Sequence, residues 1–150
     1  MEEKRQSGIN VSLPNLINIC VDEIKNGEIS GRIYHYYDKE PELFYNAVEL
    51  LMKVEELFDK IRYPQASTRT RQFNQTDSPI YQSRPPRVAD KDDVLEKRGK
   101  IASFATGVRF RQNSTWQGDF VRLETGEQKR FANTLSFLKL VDHELSKANK

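Results

Sequence analysis

The chain has 150 residues and a formal net charge of +2, with 37% hydrophobic and 31% charged residues. That length suits one domain or two small ones, apolar enough for a core and polar enough for a soluble surface. So small a net charge excludes a polyelectrolyte binder, and any basic surface must be local.

Cys20 is the only cysteine; it cannot form an internal disulfide and reads as a small buried hydrophobe in a reducing compartment. The opening MEEKRQSG lacks the apolar run of a signal peptide. No stretch approaches the roughly 20 apolar residues of a membrane span. The expectation is a cytoplasmic protein without a membrane partner.

Ser12-Leu13-Pro14 predicts a helix start, with Ser as cap and Pro in the first turn. Leu13, Leu16, Ile17, Cys20 and Ile24 would form its apolar face, and Asn26-Gly27 its stop. Next, Ser30 to Lys60 aligns without a gap on Gln117 to Lys147. Gly31 meets Gly118, Glu40 meets Glu127, Phe44 meets Phe131, Asn46 meets Asn133, Leu51 meets Leu138 and Val54 meets Val141. Each copy reads as strand, turn, short strand, helix. The turns are Asp38-Lys39-Glu40-Pro41 and Thr125-Gly126-Glu127-Gln128. Asn46 and Asn133 fall where a helix N-cap belongs, and Glu49 completes a capping-box pattern in the first copy. The predicted apolar stripes are Val48, Leu51, Met52, Leu57 and Phe58, then Leu135, Leu138, Val141 and Leu145.

Between the copies, Pro64 to Lys100 reads as linker, with an edge strand at Thr68 to Phe73 and a short helical turn at Asp90 to Lys97. Ile101 to Asn113 alternates as a strand. Ala102, Phe104, Thr106, Val108 and Phe110 share one face; Ser103, Ala105, Gly107, Arg109 and Arg111 share the other. It should pair with Trp116 to Leu123. The organisation is then an N-terminal helix and first unit over 1–63, a basic Pro/Ser/Gln-rich linker over 64–100, and a second unit over 101–150, in one compact domain.

No motif points to catalysis. His35 and His143 have no metal-like spacing to Cys20, the glycines form no phosphate loop, and no serine sits in a nucleophile elbow. No catalytic residue, metal or cofactor is expected. Two binding features stand out. Within Lys60 to Val88, Lys60, Arg62, Arg69, Arg71, Arg84 and Arg87 face Asp77 alone, with Tyr63, Phe73 and Tyr81 interleaved. Such a segment can hold phosphates and stack on bases; equally, it is a solvated linker or docks on its own protein. Arg87-Val88-Ala89-Asp90 also resembles the short Arg-x-x-Asp pattern of some cyclic dinucleotide sites, on four residues only. The second feature is the hairpin. With Val121 and Leu123 in the core, Trp116, Phe120 and Arg122 would join Arg109 and Arg111 outside. That face suits nucleic acid or a protein partner, unless both sheet faces are covered and Phe120 is buried.

The stretches FRQNSTWQGDFVRLETGEQKRFANTLSFLKLVD and GRIYHYYDKEPELFYNAVELLMKVEELFDKIRYPQAS resemble an uncharacterised group of small bacterial proteins built from two related strand-turn-strand-helix units. The resemblance implies a shared fold and carries over no binding residue. The expected class is α+β: two duplicated ββα-type units about a pseudo-twofold, an antiparallel sheet with amphipathic helices on one face, and an N-terminal helix. The expected function is a non-catalytic binding or regulatory module acting through a protein partner or a homodimer. The alternatives are a nucleic-acid-binding protein and an enzyme of unrecognised type.

Overall fold

A computed structural model describes residues 11–63, 85–112 and 115–148. Its sheet has six strands: β1 (Ile17–Lys25), β2 (Glu28–His35), β3 (Asp38–Phe44), β4 (Ala102–Gln112), β5 (Thr115–Arg122) and β6 (Glu127–Phe131). Their order is β3-β2-β1-β4-β5-β6, and all neighbours are antiparallel. The helices are α1 (Ala47–Ile61), α2 (Lys91–Leu95) and α3 (Thr134–Ala148). The class is therefore α+β. No described helix is long and apolar enough to cross a membrane.

The expected N-terminal helix is a correction. Ile17 to Lys25 is β1, a central strand. Ile17, Ile19 and Val21 enter the core under the long helices, while Leu16 and Cys20 enter a second core on the other face. Burial on both sides hides the polar alternation that marks a half-exposed strand. Asn26 and Gly27 adopt φ of 56° and 79°. They form the two-residue loop between Lys25 and Glu28, a hairpin turn rather than a helix stop.

The first expected turn also moves. Tyr36-Tyr37 links His35 to its partner Asp38, and Asp38-Lys39-Glu40-Pro41 belongs to β3. The second loop does include Gly126, at φ 78°. Short helix α2 lies within the expected Asp90–Lys97 turn and begins at an Asp90 capping box. The Thr68–Phe73 strand lies outside the described residues.

Helix α1 starts at Asn46, whose side chain accepts from Glu49 N–H. Asn133 Oδ1 accepts from Ser136 N–H at 2.7 Å in the corresponding place. The buried stripe of α1 is Leu50, Val54, Leu57, Phe58 and Ile61, turned from the predicted one and leaving Val48 and Met52 exposed. On α3, Phe137, Val141 and Leu145 are buried and Leu135 is exposed. Both helices lie over one sheet face. The other face is covered at its centre by Val94 of α2, with Val11 and Ala89 beside it.

The spacing that carries Gly31 onto Gly118 relates much more of the chain. It carries α1 onto α3, Phe44 onto Phe131 and Asn46 onto Asn133. It also relates two bulges. The β1–β2 register skips Asp22, between Val21↔Gly31 and Glu23↔Ser30. The β4–β5 register skips Arg109, between Val108↔Gly118 and Phe110↔Gln117. Gly31 and Gly118 face these bulges, where a Cβ would lie 1.9 Å from Cys20 O and 2.1 Å from Gly107 O. At the centre, Asn18 pairs with its own counterpart, Ala105. Ile17↔Thr106 is mirrored by Ile19↔Phe104.

Candidate functional site

The second bulge decides where the hairpin side chains go. A classic bulge places two consecutive residues on one side of the sheet and inverts the alternation beyond it. Arg109 and Phe110 therefore share the face away from the helices, and Arg111 turns in beneath α1. Phe110 is 63% exposed rather than in the core, and Arg111 is buried. Trp116 and Phe120, expected outside, are 1% and 0% exposed. Phe120 packs on Phe104 and Phe137, with ring centroids 5.3 and 6.3 Å away. Arg122 also turns toward the helices and lies 3.4 Å from Glu144 Oε1. Arg87 lies 4.2 Å over the Tyr36 ring, so this arginine docks on its own protein. Arg69, Arg71 and Arg84 lie outside the described residues.

Trp116 and Arg111 instead lock the β4–β5 hairpin to α1. The indole lies between Phe58 and Phe137, with centroids at 5.6 and 5.5 Å, and its N–H donates to Glu55. Trp116 N–H donates to Thr134 Oγ1 at 3.1 Å, at the start of α3. Arg111 donates to Glu55 Oε1 at 2.8 Å and pairs with Asp59 at 2.9 Å. A buried arginine needs such partners to offset its desolvation.

At the opposite end of the helix layer the same ground is open. A groove of about 580 Å³ lies between the β1–β2 turn, the start of α1 and the later turns of α3. Ile29, Ala47, Val48, Leu138, Val141 and Leu145 make its wall, with Glu28, Asn46 and Asp142 at the polar positions. Val48 is 66% exposed, and Met52, one turn along α1, is 58% exposed. Apolar surface thus continues from the groove onto the outside of α1. Sequence reading assigned Val48 and Met52 to the core; period alone does not say which of two overlapping stripes faces inward.

A smaller site lies on the far sheet face. Buried Asp119 accepts from Arg109 Nε and Arg130 Nε, each at 3.1 Å. Exposed Phe110 and Gln117 border the same cavity of about 270 Å³. No signal in the sequence singles out Arg130, which sits on the short strand of the second unit.

Two further groups lie apart from both sites. Burial pushes the Cys20 thiol up to about 11, so the thiolate is scarce at neutral pH. No cluster of His, Cys, Asp and Glu suited to a metal ion occurs among the described residues. No family model, curated protein or solved structure matches this chain.

Proposed function

We propose that the protein is a non-catalytic cytoplasmic binding module that takes an apolar segment of a protein partner into the groove between α1 and α3. The observation carrying this reading is the groove itself: apolar walls, with Val48 and Met52 exposed beside it. Contiguous apolar surface at the mouth of a concave site is characteristic of interaction surfaces. An apolar groove bordered by two helices suits an amphipathic segment. The test is capture from the native host with wild-type protein and with Val48→Asp/Met52→Asp, both nuclease-treated. The expected result is a partner held by the wild type, cross-linked to α1 or α3, and lost by a variant of unchanged melting temperature. Equal capture by both proteins would count against the groove.

A second reading rests on Arg109, Phe110, Gln117 and Arg130 sharing an open part of the far sheet face. Two guanidinium groups and an exposed ring suit single-stranded nucleic acid. It requires binding that weakens with salt and that Arg109→Ala/Arg130→Ala removes. Arg111 has no part in it, being engaged by Glu55 and Asp59.

We also infer that the halves descend from one duplicated unit. Supporting this are the shared spacing of the bulges, glycines and caps, and the central pairing of Asn18 with its own counterpart.

A further inference from the structure

We propose that the groove is a receptor for a tryptophan side chain presented by a protein partner, with Asp142 accepting the indole N–H. The inference rests on the groove reading above and says what fills it. The chain contains a worked example of the occupied site. The spacing that carries Gly31 onto Gly118 takes Ile29 to Trp116, Ala47 to Thr134, Leu145 to Phe58 and Asp142 to Glu55. In the second hairpin these positions are the indole, the hydroxyl that accepts from its backbone, the ring beneath it and the carboxylate that accepts its N–H. Around the groove all four are smaller: Ile29 and Leu145 keep the apolar character and Asp142 keeps the carboxylate, while Ala47 has no hydroxyl to take the backbone bond.

Ile24 likewise stands where the second hairpin has Arg111, which fills the rest of that space beneath α1. The groove is thus the part of the helix layer that the second half fills with its own Trp116. Its about 580 Å³ exceeds a single indole and leaves room for flanking apolar residues. Exposed Val48 and Met52 continue the contact outward, which favours a tryptophan within a polypeptide over a free aromatic solute. Asp142 keeps the acceptor chemistry of Glu55, because a carboxylate makes a charge-assisted bond to an indole N–H that a phenyl ring cannot offer.

The experiment is a methyl-resolved NMR titration of the full chain with N-acetyl-tryptophanamide and with a short Leu-Trp-Leu peptide. Ring-current shifts are expected at Ile29, Val48, Leu138 and Leu145, with the peptide binding more tightly. The 1-methyl-indole analogue should bind about tenfold more weakly, matching loss of one charge-assisted bond. Asp142→Asn should erase that preference. Ile29→Trp should close the groove and abolish the shifts. Absence of shifts with wild-type protein would overturn the proposal whether or not Ile29→Trp folds. So would equal affinity for N-acetyl-phenylalaninamide, or a preference for the single amide over the peptide. A captured partner that cross-links to the groove through a segment without tryptophan would sink this inference and leave the binding-module reading standing.

Discussion

His35 is buried at the end of β2, where Nδ1 accepts from Tyr37 N–H at 3.0 Å. The neutral ring therefore carries its proton on Nε2, 3.9 Å from Glu42. Burial lowers the His35 pKa most; Glu42 and Asp38 oppose it, and Lys60 adds to it. The unfolded chain thus binds a proton that the folded chain resists, and stability rises with pH across that interval. We expect unfolding free energy to fall as pH drops below about 6.5, and His35→Gln to flatten the slope in urea titrations at pH 5 to 8. An unchanged slope would remove His35 as its source. Asp22 acts in a lower window. Burial raises its pKa, but bonds from Arg32 and Lys100 N–H outweigh that and lower it overall, so its contribution disappears only in stronger acid. At this scale the sequence shows which residues are polar but not where they point. One skipped residue, Arg109, reverses Phe110 and Arg111, and nothing in the side-chain pattern announces it.

The elements owe much to local chemistry that is visible in the sequence. Asn46 and Asn133 cap α1 and α3 as their spacing predicts, and Glu49 Oε1 accepts from Tyr45 N–H at 2.7 Å. Each cap satisfies a first-turn N–H that would otherwise lack an intrahelical partner. We expect Asn46→Ala and Asn133→Ala each to destabilise by about 1 kcal/mol in chemical denaturation. The two losses should add, because the caps share no partner. A double variant no weaker than either single one would contradict independent capping. Strand β1 was harder to read. Its Ile-Asn-Ile-Cys-Val run is buried on both faces, so its apolar positions fit a helix as well as a strand. The deciding signal was Asn26-Gly27, whose paired positive φ angles suit a hairpin.

At the scale of the whole molecule, the sheet joins its two three-stranded meanders where β1 pairs with β4. Separating them would expose a long strand edge with unpaired backbone donors and acceptors. Because Asn18 faces Ala105 across a local dyad, a fragment spanning residues 101–150 can satisfy that edge with a second copy, pairing Ala105 with Ala105. We expect this fragment to sediment as a dimer and Ala105→Pro to prevent it, since proline cannot donate within a central ladder. A folded monomeric fragment would argue against the dyad. The α+β class was legible from the alternating strands and the amphipathic helices that follow them. The joining strand was not, because its partner lies far away in sequence.

That distance also shapes how the chain finds its fold. Every other strand pair joins chain neighbours through a short connection and can close early, whereas β1 must wait for β4. Such a non-local contact slows folding far more than it weakens the finished structure. Closure entropy grows only with the logarithm of loop length, about 0.6 kcal/mol for each doubling. Added length between α1 and Arg87 should therefore carry little thermodynamic expense while slowing the joining of the two halves, whereas the stretch from Arg87 to Lys97, which packs on the far sheet face, is held to its sequence.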